Sequence, residues 1–246
     1  MHLTILTGAS RGLGHAVAEQ LLARGHSVLA LSRRAPALKV PPGAALQHWA
    51  VDLAHAAPVA ERLHAWLASQ YSSRLSSATL INNAGVVSQL APLSGVASDD
   101  LVNALRVGLE APTLLTAAFL RATEDWTVPR KVLLVSSGLG RRAMAGSASY
   151  CAVKAGLDHL ARAVALEEAA KAHGARIVSL APGVIDTDMQ VQLRTSSATL
   201  FPERARFVEL KETGQLDSPA TAAAKLLSYL GRADFGSQPV ADVRDA

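Results

Sequence analysis

The chain has 246 residues, of which 50% are hydrophobic and 18% are charged, and it carries a net charge of +4. This length can bury one large core, and the high apolar content excludes disorder over most of the chain. The basic residues are spread along the sequence, and their densest pairs, Arg33-Arg34 and Arg141-Arg142, stand far apart. The charge pattern therefore argues against a nucleic-acid-binding protein, whose basic residues cluster on one face.

Charged residues or His interrupt every long apolar run, so none reaches the roughly 20 residues that a membrane-spanning helix needs. The first residues lack a basic region ahead of an apolar run, and we expect no signal peptide. The one cysteine, Cys151, cannot form an intramolecular disulfide, which fits a reducing compartment. The eight histidines are scattered and no two of them are spaced i, i+4. We therefore expect no metal site. We therefore expect a cytoplasmic protein with no membrane partner.

Short runs of β-branched and apolar residues alternate with longer Ala- and Leu-rich stretches of helical period. This alternation is typical of an α/β protein in which helices cover both faces of a parallel sheet. Predicted strands lie at 2–7, 27–32, 46–51, 78–82, 131–136, 176–181 and 238–242. Predicted helices lie near 12–24, 56–70, 98–122, 149–173 and 218–231. Since no linker or repeat divides the chain, we expect one doubly wound domain over 1–246.

The segment 184–216 breaks this alternation. It contains Thr195-Ser196-Ser197 and one short helical stretch from Pro202 to Lys211. It follows the carboxyl end of a predicted strand, which is where open α/β sheets bind ligands. We therefore expect a loop that covers a substrate.

A glycine-rich turn, Thr7-Gly8-Ala9-Ser10-Arg11-Gly12-Leu13-Gly14, joins the first predicted strand to an amphipathic run. Glycines at this place let backbone N–H groups and a helix N-terminus approach a pyrophosphate. The G-x-x-x-G-x-G spacing differs from the G-x-G-x-x-G fingerprint, and the missing Gly-Lys-Ser/Thr excludes a P-loop kinase or ATPase. A purely structural tight turn is the alternative, which the position between a strand and a helix disfavours.

The choice of cofactor is indicated by missing acidic residues. No Asp or Glu occurs between Glu19 and Asp52, and the second predicted strand ends in Ser32-Arg33-Arg34. An acid roughly 20 residues after the glycines binds the ribose 2′-OH of NAD, whereas an Arg accommodates the 2′-phosphate of NADP. The sequence therefore predicts NADP (NADPH), held by Arg33, with Arg11 as a second positive charge. A solvated basic surface is the alternative.

Three side chains of complementary chemistry follow the fifth predicted strand. Ser137 comes directly after that strand, Tyr150 stands thirteen residues later, and Lys154 stands four residues further on. Residues i and i+4 of a helix lie on one face, so we expect Lys154 to favour the phenolate and lower the pKa of Tyr150. Such a Tyr can protonate the alkoxide formed by hydride transfer to a carbonyl, which the Ser137 hydroxyl polarises. Tyr-x-x-x-Lys alone is common on helices. Here it follows a nucleotide-binding turn and a serine at the end of a strand, and this position favours a catalytic role.

With these residues the chain resembles the short-chain dehydrogenase/reductase family, from about Leu3 to Val243. The motifs that carry the resemblance are the glycine turn, Asp52-Leu53, Asn82-Asn83-Ala84-Gly85, Ser137, Tyr150-Cys151-Ala152-Val153-Lys154, and Pro182-Gly183 with Thr187. The resemblance implies an NAD(P)-binding Rossmann domain in which Ser137, Tyr150 and Lys154 are catalytic. It also implies cofactor contacts from Gly8, Ser10, Arg11, Gly12, Leu13, Gly14, Asp52, Leu53, Asn83, Ala84, Gly85, Tyr150, Lys154, Pro182, Gly183, Val184 and Thr187. Asp52 and Leu53 are expected near the adenine, and the residues from 182 to 187 near the nicotinamide.

One departure from the family pattern lies in the helix after the fourth strand. The family usually places there an Asn that holds a water of the proton relay behind the Lys, and Gly108 stands at this position here. Asn103 is no obvious substitute, because five residues turn a helix by about 500° and leave it on another side. We expect a water to fill the space left by the missing side chain. The alternatives are slower proton delivery or a protein without catalytic activity.

The last part of the chain resembles one branch of the family, which contains sepiapterin reductase and the bacterial benzil reductase that forms (S)-benzoin. The similar segments are 187–194, 207–216, 234–238 and 240–243. The resemblance implies NADPH-dependent reduction of a ketone or 1,2-diketone to a secondary alcohol, with Tyr150 as general acid. A reductase of 3-oxoacyl thioesters or of another alcohol/ketone pair remains an alternative. A catalytically idle NADP-binding sensor or scaffold is the alternative from another class.

The partners expected for this chain are a small-molecule carbonyl substrate and further copies of itself. The predicted helix 149–173 presents Ala, Gly and Leu on more than one face, beyond what one contact with the sheet would hide. The resemblance likewise implies a homodimer or homotetramer. Met144 and Leu193 are candidates either for an apolar pocket wall or for ordinary core packing.

Overall fold

The computed structural model describes residues 1–245, which form a seven-stranded sheet with parallel neighbouring strands in the order β3-β2-β1-β4-β5-β6-β7. The strands are β1 (His2–Thr7), β2 (Ser27–Ser32), β3 (Ala45–Ala50), β4 (Ser77–Asn82), β5 (Arg130–Val135), β6 (Arg176–Ala181) and β7 (Val240–Asp242). At the centre, Ile5 of β1 lies opposite Leu29 on one side and Leu80 on the other. The strand order reverses direction between β1 and β4, and such a switch point opens a crevice at the carboxyl ends of the strands.

Helices cover both faces of this sheet. They are α1 (Gly12–Ala23), α2 (Ala56–Ala68), α3 (Ser98–Leu105), α4 (Ala111–Ala122), α5 (Ala148–Ala169), α6 (Asp188–Thr195), α7 (Arg204–Glu212) and α8 (Pro219–Gly231). Helices α1 and α8 bury Leu21 and Leu226 against one face, and α2, α4 and α5 bury Leu63, Phe119 and Leu157 against the other. Full burial of each such side chain stabilises the fold by about 1.5–3 kcal/mol. The strand ends are therefore held firmly from both sides.

The predicted α/β architecture is confirmed, and two predicted helices differ from the structure. The predicted helix 98–122 is divided into α3 and α4 by a π-helical turn at Arg106–Glu110. Pro112 lies in the first turn of α4, and its missing N–H removes a hydrogen bond that a continuous helix would need. The predicted helix 149–173 ends earlier, at Ala169. The Ala175 N–H donates a hydrogen bond to the Glu168 carboxylate at 2.8 Å, so the chain turns back beside the end of the helix.

The segment 184–216 contains two helices, although only the second was predicted. Helix α6 is short, and Asp188 in its first turn and Arg194 in its last turn complement the helix dipole. The predicted strand 238–242 is shortened to Val240–Asp242, since only these residues pair with β6. No helix among residues 1–245 combines the length and the apolarity needed to cross a membrane.

Candidate active site

The carboxyl ends of the strands open into one cleft of about 1200 Å³. This volume exceeds the roughly 300–1,000 Å³ of a site for one drug-sized ligand, so a dinucleotide and a small substrate can share it. Every residue predicted to act in catalysis or cofactor binding lines this cleft: Gly8, Ser10, Arg11, Gly12, Leu13, Gly14, Arg33, Asp52, Leu53, Asn83, Ala84, Gly85, Ser137, Tyr150, Lys154, Pro182, Gly183, Val184 and Thr187.

The glycine turn forms a close-packed cradle at the start of α1. Gly8 and Gly12 have φ angles of +72° and +55°, which L side chains rarely adopt. A Cβ on Gly14 would lie 2.2 Å from the Gly8 carbonyl oxygen and 2.5 Å from Asn83 Nδ2. Arg11 precedes α1 without a side-chain hydrogen bond to its first turn, so the backbone N–H groups there are available to an anion. The turn therefore fits a pyrophosphate.

Hydrogen bonds that involve the side chains of Thr7 and Asn83 hold this turn against the end of β4. The Thr7 hydroxyl accepts hydrogen bonds from the N–H groups of Asn83 and Ala84, both at 2.9 Å. Asn83 Nδ2 donates in return to the carbonyl oxygens of Thr7 and Gly8, at 3.0 and 3.3 Å. These reciprocal bonds join the two strands at the switch point and fix the shape of the cradle.

The basic residues near the predicted phosphate position differ in their surroundings. Arg33 lines the cleft, whereas its neighbour Arg34 does not. Arg11 forms an ion pair of 2.7 Å with Asp188 at the start of α6, and both side chains are more than 70% exposed. An exposed pair of this kind contributes little to stability, but it compensates the charge of Arg11. Arg33 is therefore the better candidate for a 2′-phosphate.

Ser137, Tyr150 and Lys154 meet at the floor of the cleft. The Ser137 oxygen accepts a hydrogen bond from the Leu139 N–H at 3.2 Å. Lys154 Nζ donates to the Val135 carbonyl oxygen at 2.7 Å and lies 5.4 Å from the centre of the Tyr150 ring. The i, i+4 relation on α5 thus brings the ammonium and the phenol side by side, as the sequence predicts.

The expected lowering of the Tyr150 pKa is wrong for this structure. Burial raises the pKa of Tyr150 to about 12, and the neighbouring Ser137 hydroxyl lowers it only in part. The ammonium of Lys154 is directed to the Val135 carbonyl, so its charge does not overcome the loss of solvent around the phenol. The tyrosine consequently keeps its proton at neutral pH and is suited to donate it.

Behind Lys154 lies a buried carboxylate that sequence reasoning missed. Asp158 is 1% exposed, and its Oδ1 accepts hydrogen bonds from the hydroxyls of Ser136 at 2.6 Å and Ser179 at 2.7 Å. Its Oδ2 has no partner among residues 1–245. Burial lowers the pKa of Lys154 to about 8, and the charge of Asp158 partly opposes this. The i, i+4 spacing from Lys154 to Asp158 on α5 is the sequence signal that could have identified this group.

The side chain of Val153 packs directly against Gly108, and the expected water beyond this contact stays a prediction. A Cβ on Gly108 would lie 2.6 Å from Cγ1 and 3.2 Å from Cγ2 of Val153. Gly108 belongs to the π-helical turn between α3 and α4, and Val153 precedes Lys154 on α5. The methyl groups of Val153 therefore occupy the place where the side chain of residue 108 would begin.

Gly108→Ala should lower the free energy of unfolding by about 1–3 kcal/mol, because an added methyl group overpacks this contact. Val153→Ala in the same chain should recover part of that loss. Gly231→Ala is the control, since a Cβ there meets nothing within 4 Å. Denaturant unfolding measures Gly108→Ala, Val153→Ala, their double variant and Gly231→Ala, and strictly additive losses in the double variant would show that Val153 is not the obstacle.

An apolar cluster bounds the far end of the cleft beneath α6 and α7. Its buried members are Leu90, Met144, Leu193, Phe201 and Phe207. All of these except Phe201 also line the cleft. Met144 and Leu193 thus belong both to a packed cluster and to the pocket wall, which favours an apolar group in this part of the site.

Paired charges near the C-terminus complete the lining of the cleft. Arg244 donates two hydrogen bonds to the buried Asp242 carboxylate, at 2.8 and 2.6 Å, and Arg141 approaches it to 3.5 Å. The hydrogen bonds from Arg244 lower the pKa of Asp242. This carboxylate is therefore ionised and already neutralised. The sequence did not reveal the contact between Asp242 and Arg141, because it joins β7 to the loop after β5.

Comparison with known proteins gives the same family from several directions. A family model described as short chain dehydrogenase matches residues 2–198. Benzil reductase ((S)-benzoin forming) of Bacillus subtilis is 37% identical over 94% of this chain and 93% of its own, and that of Bacillus cereus is 34% identical over 96% of both chains. Sepiapterin reductase of Rattus norvegicus is 34% identical over 98% of this chain and 95% of its own.

Solved structures with similar folds agree with this assignment. The KRED1-Pglu enzyme superposes with a TM-score of 0.81 at 28% identity, covering 97% of this chain and 99% of that one. A metagenomic short-chain oxidoreductase in complex with NADP superposes with a TM-score of 0.72 at 26% identity, covering 98% and 94%. The predicted resemblance is confirmed: the chain belongs to the short-chain dehydrogenase family and is similar over nearly its whole length to benzil and sepiapterin reductases.

Proposed function

We propose that this chain reduces one carbonyl of a ketone or 1,2-diketone to a secondary alcohol with NADPH. The observation that carries the proposal is the meeting of Ser137, Tyr150 and Lys154 at the floor of a cleft whose far end is the apolar cluster. An apolar diketone matches a wall of leucine, methionine and phenylalanine side chains. The two relatives named benzil reductase support this substrate class.

In the proposed mechanism each catalytic side chain has one task. NADPH, when bound, supplies the hydride. The Ser137 hydroxyl, whose oxygen already accepts from Leu139 N–H, donates its proton in a hydrogen bond to the carbonyl oxygen. Tyr150 transfers its phenolic proton to the same oxygen as negative charge develops there. The Lys154 ammonium stabilises the phenolate that remains.

The cofactor would be held by residues at the carboxyl ends of several strands. The cradle of Gly8, Gly12 and Gly14 fits the pyrophosphate, and Arg33 is the proposed partner of the 2′-phosphate. Gly85 lies beside Lys154, since a Cβ on it would be 3.9 Å from Nζ, and this leaves room for a ribose to approach the ammonium. The structural neighbour solved with NADP supports this choice of cofactor.

The rate of reduction should fall as the pH rises through about 8. The lowered pKa of Lys154, about 8, means that the ammonium is charged below this pH and neutral above it. The raised pKa of Tyr150, about 12, keeps the proton donor intact over the same range. A plot of log kcat/KM against pH should therefore be flat below 8 and decline above it. In Lys154→Arg, which stays charged throughout, the residual activity should show no such decline.

Oxidation of NADPH in the presence of a substrate panel tests the proposed function. Turnover should be fastest with benzil or another apolar 1,2-diketone, and slower with a 3-oxoacyl thioester analogue. Faster turnover of the thioester would favour the alternative reductase. Tight NADPH binding without turnover of any dicarbonyl would favour an idle NADP-binding protein.

We propose further that the chain forms a homodimer or homotetramer in the cytoplasm. Leu166 on α5 is 77% exposed, and Val102 and Leu105 on α3 are 42% and 43% exposed. Such side chains favour burial against another copy. Light scattering measures the mass, and a monomer at micromolar concentration would contradict this part of the proposal. The single cysteine supports a reducing compartment.

A further inference from the structure

A buried carboxylate that the proposed mechanism does not use lies one turn beyond Lys154 on α5. Asp158 is 1% exposed, and its Oδ1 accepts hydrogen bonds from the hydroxyls of Ser136 at 2.6 Å and Ser179 at 2.7 Å. Its Oδ2 is buried and has no hydrogen-bond partner among residues 1–245. Burying a carboxylate is costly unless a positive charge compensates it. Two hydroxyls alone therefore do not account for this group.

The fold closes tightly around Asp158. Ser136 comes directly after β5, and Ser179 lies on β6. The loop after β5 covers the carboxylate at Gly140, where a Cβ would lie 2.6 Å from Asp158 Oδ2 and 2.9 Å from the Lys154 carbonyl oxygen. Only a residue without a side chain lets the loop approach so closely. The carboxylate is thus shielded from water, and salt screens its charge less than that of an exposed group.

The ammonium of Lys154 is the positive charge that the helix places beside this carboxylate. Lys154 and Asp158 are residues i and i+4 of α5, so their side chains lie on one face of the helix. Lys154 Nζ donates its hydrogen bond to the Val135 carbonyl oxygen at 2.7 Å, and not to Asp158. The carboxylate therefore acts on the ammonium through its charge, across a region without water.

No other charge around this pair is placed to do the same. The groups that contact the pair from other elements are uncharged: the Val135 carbonyl, the hydroxyls of Ser136 and Ser179, Gly140 and Gly85. On β7, Asp242 is already paired with Arg244 and Arg141. Arg162, one turn beyond Asp158, is exposed to solvent, where water and salt screen its charge.

A charge at this place has a defined consequence for the reaction. The Lys154 ammonium must stay protonated to stabilise the phenolate of Tyr150, although burial favours the neutral amine. A carboxylate on the same face of the helix opposes this loss of charge. We propose that Asp158 is a positioning residue that keeps the Lys154 ammonium charged at neutral pH. This inference rests on the proposed function.

The first test measures the titration of Lys154 without any turnover. The chain has six lysines, so selective ¹³C labelling of lysine gives few NMR signals, and Lys154→Arg identifies the signal of Lys154. In the wild-type chain this signal should report a pKa of about 8. In Asp158→Asn the measured pKa should fall by about 1, the usual effect of losing a nearby opposite charge. An unchanged pKa would overturn the inference.

The second test is the pH dependence of kcat/KM for benzil. In Asp158→Asn the decline should begin about 1 pH unit lower than in the wild type. The loss relative to the wild type should be small near about pH 6 and approach about tenfold above about pH 9. A purely structural role for Asp158 would lower kcat/KM by the same factor at every pH, and that result would also overturn the inference.

Glu167→Gln is the matched control. Glu167 lies on the same helix and is exposed, so its change removes one carboxylate without altering the surroundings of Lys154. Both measurements should keep their wild-type values. Thermal melts of the holoenzyme establish that the variants are folded, and Asp158→Ala replaces Asp158→Asn if the amide is not accommodated. A wild-type chain that does not reduce benzil would reject the proposed function alone, because the titration of Lys154 is independent of substrate.

Discussion

Tyr150→Phe should lower kcat for carbonyl reduction by a factor of about 10²–10⁴, the usual contribution of a positioned general acid. The NADPH dissociation constant should hardly change, because the substitution removes only the hydroxyl and keeps the ring beside Lys154. Steady-state oxidation of NADPH with benzil measures the first quantity. Fluorescence titration of NADPH measures the second.

Tyr229→Phe is the matched control for this experiment. Tyr229 lies on α8 outside the cleft, where its ring packs edge-on against Phe235 with centroids 6.1 Å apart. The same loss of a hydroxyl there should leave both quantities unchanged. A wild-type rate in Tyr150→Phe would remove this residue as the proton donor, and a parallel loss of NADPH binding would assign it to holding the cofactor.

Arg33→Asp should lower the ratio of kcat/KM with NADPH to that with NADH by about 100-fold. A hydrogen bond to a charged group contributes about 1.5–3 kcal/mol, which corresponds to roughly 10–150-fold in affinity. The new carboxylate also repels the 2′-phosphate, and it can accept hydrogen bonds from the ribose hydroxyl of NADH. Steady-state kinetics with both cofactors at one ionic strength measure the ratio.

The chain offers a close control in Arg34→Asp. The change in charge is identical and the position differs by one residue, but Arg34 does not line the cleft. Its ratio should therefore shift far less than that of Arg33→Asp. An unchanged ratio in Arg33→Asp would refute the assignment of this guanidinium to the 2′-phosphate, and equal shifts would indicate long-range attraction by the basic surface.

The strands were predictable to within a residue or two because most of them are short apolar runs that are largely buried within the sheet. Helices were harder to delimit. The period of apolar residues continues through 98–122, but Pro112 and the π-helical turn at Arg106–Glu110 divide it. Helix α6 carries few apolar residues and packs against α7 beside the cleft. The period of its apolar residues therefore did not predict it.

In the candidate site, too, some features were predictable from the sequence and others were not. Tyr150 and Lys154 are neighbours on one helix, and the glycine turn is a single local motif, so both were evident from spacing. The pKa of Tyr150 was predicted in the wrong direction. Spacing reveals the nearby charge, whereas the loss of solvent that raises the pKa to about 12 depends on the whole surrounding protein.

The sequence by itself determined the parallel α/β fold, the nucleotide turn and the Tyr-Lys pair, because these depend on periods and spacings within one element. Only the tertiary structure decided that Val153 packs against Gly108, and that Ser136 and Ser179 hold Asp158 behind Lys154. Each of these relations joins side chains from elements far apart in the chain, and packing between elements, with the loss of water that accompanies it, creates them.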